Sequence, residues 1–199
     1  MGTKQFCSHI TVYAGSADNL APVYMQGAYQ LGKTMAEQGR TLVFGAGKTG
    51  LMGAVADGVL EHGGKALGII NEALNLPHLA HANLSSLEIF PTIHRRQERM
   101  TALSDAMIAL PGGLGTFAEL FECLTWAQLN LHSKGLGFLN IHGYFDPLLA
   151  MLDRAISDGF VYASHRDLYR VSADPAELLA MLDAYQPPHD LNLWMERSE

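Results

Sequence analysis

The stretch Pro111-Gly112-Gly113-Leu114-Gly115-Thr116-Phe117-Ala118-Glu119 holds the residues best suited to chemistry. It follows an apolar run at 106–110 that reads as a buried strand. It opens an apolar-periodic segment at 117–129 that reads as a helix. Glycines at a strand-to-helix junction let backbone N–H groups approach a ligand closely, and the helix N-terminus adds partial positive charge. That combination suits a phosphate. Glu119 lies near the start of the helix, where a carboxylate can act on whatever the loop holds. Glycine-rich loops also serve as plain tight turns, and Thr116 and Glu119 are what set this one apart.

A second chemical element lies upstream, in Thr92-Ile93-His94-Arg95-Arg96-Gln97-Glu98-Arg99-Met100. Three arginines near the start of a helix oppose the macrodipole, which favours carboxylates there. Arg96 and Arg99 share a face, and Arg95 points elsewhere. Spacing alone allows a solvated patch paired with Glu98 and other acids. Position favours an anion site, because this helix precedes the strand at 106–110 and shares a rim with the glycine loop.

These segments need a scaffold, and the chain supplies one. Short apolar runs at 10–14, 41–44, 66–70, 87–90, 106–110 and 137–141 read as strands. Between and after them, 22–38, 51–62, 94–104, 117–129, 147–157 and 175–184 read as helices, the last with Pro175 in its first turn. Strands without inside–outside alternation, separated by helices, form a parallel sheet covered on both faces. The expectation is an α/β, Rossmann-like domain over 1–185, with six or seven strands and a loosely attached tail at 186–199. Ligands bind such a sheet at the carboxyl ends of its strands. There the sequence places Gly15-Ser16, the loop 45–50 and the loop 111–116.

Gly45-Ala46-Gly47-Lys48-Thr49-Gly50 matches GxGxxG, a weak sign of a dinucleotide, since only Glu72 offers the acidic partner and it comes late. A Walker A reading fails because its first glycine would fall at Leu42. His78 and His81 are three apart, but no HExxH or Cys–His cluster occurs, so no metal is expected. Lys48 and Lys134 give no sign of a pyridoxal-phosphate site.

The chain has 199 residues, is 48% hydrophobic and carries a formal charge of −7, which argues against a general nucleic-acid binder. No apolar run approaches the roughly 20 residues of a membrane span. The first residues lack the apolar core of a secretory signal, and Phe6 spoils the myristoylation pattern that Gly2 would begin. Cys7 and Cys123 suit small buried hydrophobes in a reducing compartment, and the expectation is a cytoplasmic protein.

The chain resembles the Lonely Guy family of cytokinin-activating phosphoribohydrolases, a group of Rossmann-like proteins long mislabelled lysine decarboxylases. The likeness runs from Val12-Tyr13-Ala14-Gly15-Ser16 to about residue 160. It includes Gly50-Leu51-Met52-Gly53, the segment 96–100, PGGLGTFAE and Leu124-Thr125-Trp126-Ala127-Gln128-Leu129. It implies cleavage of the N-glycosidic bond of AMP or an N6-modified AMP, giving free base and ribose 5-phosphate without a cofactor. It also implies Arg96 and Glu119 as the catalytic pair, Gly112, Gly113, Gly115 and Thr116 around the phosphate, Thr125 further along the site, and a homodimer or higher homo-oligomer. Two positions depart from the family pattern. Its Arg-Lys pair is Arg96-Gln97 here, and a carboxylate common upstream aligns with His78. Both are expected near the substrate, weakening nucleotide binding and making activity sensitive to pH. Two other readings stand beside the hydrolase: a non-catalytic nucleotide or carrier protein of the same fold, and a nicotinamide-dependent oxidoreductase using Gly45, Gly47 and Gly50.

Overall fold

The structure, a computed structural model, describes residues 5–189 and 191. Seven strands form one sheet: β1 (His9–Tyr13), β2 (Thr41–Phe44), β3 (Lys65–Asn71), β4 (Ser86–Phe90), β5 (Ala106–Ala109), β6 (Leu136–Leu139) and β7 (Tyr169–Ser172). Their order is β4-β3-β2-β1-β5-β6-β7, every pair parallel. Among the described residues, five α-helices connect them, α1 (Pro22–Glu37), α2 (Gly50–Glu61), α3 (Ile93–Leu103), α4 (Leu114–Gln128) and α5 (Asp146–Ser157), and α6 (Pro175–Asp183) follows β7.

The central strands are almost wholly buried because both faces are covered. Along β1, Ile10 and Val12 enter one core with Leu42, Phe44 and Ile108, backed by α1, α2 and α6. Tyr13 points the other way, into a core with Val43, Met107, Ala109 and Phe138 and with Met100 of α3 and Leu120 of α4. A period of two thus divides one strand between two cores.

The expected strands and helices all occur, with ends shifted by a few residues. α4 starts at Leu114 rather than 117, because Gly113 is its N-cap and Leu114 is 88% exposed, hiding the first turn from apolar periodicity. β7 has no counterpart among the expected strands: it has four residues, including Arg170, and lies at the sheet edge. β4 is the opposite edge, with Leu87 and Ile89 partly exposed.

Part of the expected tail can be described. Leu191 is buried in the core beside α4 and β7, so the chain beyond 186 is packed at this point; 190 and 192–199 lie outside the described residues. Gly2 also lies outside them. Both cysteines are buried and free, and burial pushes the thiol of Cys7 up to about 11 and that of Cys123 up to about 12. Beneath the sheet, Arg40 makes a two-pronged ion pair with Asp183 at 2.8 and 2.9 Å and donates to the carbonyl of Cys7. Asp183 in turn accepts from the Cys7 N–H at 3.0 Å.

Candidate active site

Strand order reverses between β1 and β5: the chain leaves β1 toward β2 on one side and β5 toward β6 on the other. The loops at their carboxyl ends therefore diverge and leave a crevice, the usual ligand position in an open parallel sheet. The N–H of Gly15 bonds the carbonyl of Pro111 at 3.0 Å and ties the two loops together at its floor. Above it is a cleft of about 520 Å³, lined by Gly15, Ser16, Arg96, the loop 111–116, Glu119 and Tyr144, with Leu20, Met52 and Leu74 as apolar walls.

The 111–116 loop has little room on its inner side and much on its outer side. A Cβ on Gly112 would lie 2.2 Å from the Thr116 hydroxyl oxygen and 2.8 Å from the Gly15 nitrogen. A Cβ on Gly113 or Gly115 would meet nothing within 4 Å. No side chain caps α4. The first-turn N–H groups of Leu114, Gly115 and Thr116 thus face outward at the positive end of the helix dipole. Thr116 is buried beneath them.

Arg96 reaches this cleft from α3, whose start is fixed by Thr92 accepting from the Arg95 N–H at 3.2 Å. Its side chain is 9% exposed, and its Nη2 donates to Oε1 of Glu119, which is 20% exposed. Burial lowers the Arg96 pKa, while Tyr13 and Glu122 act in the opposite direction. An arginine begins so far above neutrality that it stays charged. Its Nε is buried and has no hydrogen-bond partner. The cleft therefore joins a fixed cation, a partly exposed carboxylate and a helix N-terminus.

Of the three arginines, Arg96 alone lines the cleft. Arg99 forms a two-pronged pair with Glu88 of β4 at 2.8 and 2.9 Å, which lowers the Glu88 pKa through that hydrogen bonding. Arg95 is exposed.

Three expected positions are not brought to the cleft. Gln97 is 1% exposed and donates to the Tyr13 hydroxyl at 2.7 Å. Successive helix residues point about 100° apart, so with Arg96 toward the cleft its neighbour turns into the core. Thr125 is on an exposed face of α4, where its hydroxyl donates to the Phe121 carbonyl at 2.7 Å. His78 is exposed on the segment after β3 and does not line the cleft.

The other glycine loop is occupied by the protein itself. Lys48 N–H bonds the Leu79 carbonyl at 3.0 Å, and His81 N–H bonds the Ala46 carbonyl at 2.8 Å. Gly47 pairs with Ala80 in an isolated bridge. Gly50 has φ +59°, and its Cβ would lie 2.6 Å from the Ala17 carbonyl oxygen. Gly45 alone touches the chemistry, since a Cβ there would come 3.4 Å from Nη1 of Arg96. The loop that matches the dinucleotide pattern is thus a packing joint.

Of the lining residues that motif reading missed, which include the apolar walls Leu20 and Leu74, Tyr144 is the one that brings a polar side chain. It follows β6 in the Asn140-Ile141-His142-Gly143 turn, and the rule that ligands meet strand ends is the signal that would have found it.

The sequence model of a family described as "possible lysine decarboxylase" matches residues 52–182. A probable cytokinin riboside 5'-monophosphate phosphoribohydrolase of Oryza sativa subsp. japonica is 40% identical over 180 residues, covering 90% of this chain and 81% of that protein. A cytokinin riboside 5'-monophosphate phosphoribohydrolase of Arabidopsis thaliana is 37% identical over 188 residues, covering 94% and 88%. Among solved structures, the molybdenum cofactor binding protein from Rippkaea orientalis aligns with a TM-score of 0.66 at 21% identity, covering 92% of this chain and 98% of that one. That likeness is one of fold. Identity of this extent across nearly the whole chain shows that it belongs to the Lonely Guy family of cytokinin riboside 5'-monophosphate phosphoribohydrolases.

Proposed function

We propose that the protein is a nucleoside 5'-monophosphate phosphoribohydrolase that cleaves the N-glycosidic bond of AMP or an N6-modified AMP, such as a cytokinin nucleotide. The observation that carries this reading is the Arg96–Glu119 pair in one cleft with the open face of the glycine loop. The first-turn amides of α4 receive the 5'-phosphate. Loss of the base leaves an oxocarbenium-like ribose, and the Glu119 carboxylate stabilises that charge and orients or deprotonates the attacking water. Arg96 holds the Glu119 carboxylate in place through their ion pair, and its charge is available to phosphate, ribose or the departing base. Gly112, Gly113, Gly115 and Thr116 form the phosphate end, and Gly45 leaves room for the guanidinium.

The relatives named as phosphoribohydrolases support this chemistry. The self-filled loop 45–50 argues against a nicotinamide enzyme. Incubation with AMP and with N6-isopentenyl-AMP, followed by chromatography, is expected to yield free base and ribose 5-phosphate. Tight binding with no free base would instead make the protein a nucleotide carrier.

The working form in this reading is a cytoplasmic homodimer. Supporting the assembly, Leu114 and Phe121 of α4 and Leu131 just after it are 88%, 40% and 70% exposed. Sedimentation that shows monomer at micromolar concentration would remove the dimer.

A further inference from the structure

We propose that Tyr144 is a positioning residue that sets the direction of the phosphate-binding backbone. Its hydroxyl donates to the Gly112 carbonyl at 2.5 Å. In a trans peptide the C=O of one residue and the N–H of the next point to opposite sides. Holding the Gly112 carbonyl therefore fixes the direction of the Gly113 N–H. The preceding peptide is held likewise, with the Pro111 carbonyl accepting from Gly15 N–H at 3.0 Å. A glycine pair could otherwise turn these peptides at little cost, because neither residue has a Cβ to resist it. Tyr144 thus supplies from another loop the restraint that Gly112 and Gly113 lack.

The tyrosine is itself well anchored. Asn140 accepts from the Phe145 N–H at 2.8 Å and donates to Asp146 at 2.7 Å, closing the turn that carries it. His142, with φ 53°, and Gly143, with φ 70°, bend the chain sharply just before it. The ring stands edge-on to Tyr24 and to Phe145, with centroids 6.0 and 5.1 Å away. A ring fixed on several sides is a firm post for one hydrogen bond, and preorganised donors bind an anion without paying for reorganisation.

This inference rests on the reading of the glycine loop as a phosphate site, and the test separates the two. Tyr144→Phe keeps the ring packing and removes only the hydroxyl. Calorimetry with AMP and with adenosine, and steady-state kinetics on AMP, are compared for the wild type and the variant. The expected result is an AMP Kd and KM raised about five- to tenfold, the size of one hydrogen bond. Adenosine affinity and the thermal midpoint should stay unchanged, and kcat should stay within about twofold. A wild type that prefers AMP to adenosine, with a variant that keeps the full preference, overturns the role of Tyr144 alone. Equal losses for AMP and adenosine also overturn it, since they report general disruption. A wild type with no preference for AMP overturns the phosphate reading and this proposal together.

Discussion

At the loop 45–50 the Lys48 amide is bonded to Leu79, the Ala46 carbonyl to His81, and Gly50 lies against the backbone of Ala17. At the loop 111–116 the carbonyls of Pro111 and Gly112 have protein partners, but the first-turn amides of α4 have no cap and Gly113 faces open space. Both loops are glycine-rich, both follow a parallel strand, and both precede a helix. The first uses its glycines to bring chain against chain, and the second uses them to keep chain away from a ligand. Glycine spacing cannot separate the two cases; the destination of the amide groups does.

The contrast is sharpest in the chemistry next to the open loop. Glu119→Gln retains size and hydrogen bonding but removes the charge, and kcat on AMP is expected to fall by about 10²–10⁴ with little change in nucleotide affinity. Arg96→Ala is expected to abolish turnover and weaken binding as well, since it also frees Glu119 from its partner. Near-native turnover in either variant would overturn the mechanism.

A matched pair of glycine substitutions compares the loops directly. Gly113→Val finds space for its side chain in the protein, so the thermal midpoint should hold while AMP affinity in calorimetry drops by about tenfold or more. Gly50→Val meets the opposite fate, because its φ of +59° favours glycine and a Cβ there would lie 2.6 Å from the Ala17 carbonyl oxygen. It should destabilise the fold by about 1–3 kcal/mol or more in denaturant titration. If the first variant unfolds, or the second loses only affinity, the two loops do not differ as described.

Changes at the departures from the family pattern should be smaller and act elsewhere. Gln97→Lys introduces an ammonium at a fully buried position beside the Tyr13 hydroxyl, so it should lower the unfolding midpoint rather than strengthen AMP binding. His78→Glu, on an exposed segment outside the cleft, should leave KM and its pH profile almost unchanged. A several-fold gain in AMP affinity from either substitution would return that position to the site.

The smallest effect concerns pH and separates stability from the cleft. Burial lowers the pKa of His132 and of His165, and neither ring nitrogen of His165 has a hydrogen-bond partner. A histidine whose folded pKa is depressed is protonated first in the unfolded chain. Its contribution is therefore complete above the ordinary value of about 6.5 and declines as pH falls below it. The unfolding midpoint should drop by a few degrees between pH 7.5 and pH 5.5, and His165→Phe should flatten part of that slope. An unchanged slope would show that His165 carries none of it.

Much of the fold was legible because buried parallel strands are continuous apolar runs and the helices between them have long periods. β7 escaped because four residues with Arg170 among them give no such run. The site was legible where one contiguous segment carries it: residues 112–116 and Glu119 reach the cleft together because a loop and the first turns of one helix hold them. It was not legible where neighbours in sequence part company in space. Arg96 and Gln97 adjoin on α3, yet one enters the cleft and the other the core. Glu119 and Thr125 share α4, yet Thr125 lies on an exposed face outside the cleft. Tyr144 has the reverse history, distant in sequence and bonded to Gly112 through the packing of β5 against β6.

The ion pair beneath the sheet has a consequence for how the chain matures. Cys7 and Asp183 meet across a separation of 176 residues, and Arg40 is buried between them. During synthesis β1 can align with β2 early, but the guanidinium of Arg40 gains its counter-charge only after α6 has emerged. A chain halted before residue 183 lacks this carboxylate, so the Arg40 guanidinium and the Cys7 amide are without their shared partner. The segment at Cys7 that leads into β1, the strand that carries Gly15 to the cleft, therefore gains this anchor only when the final helix docks.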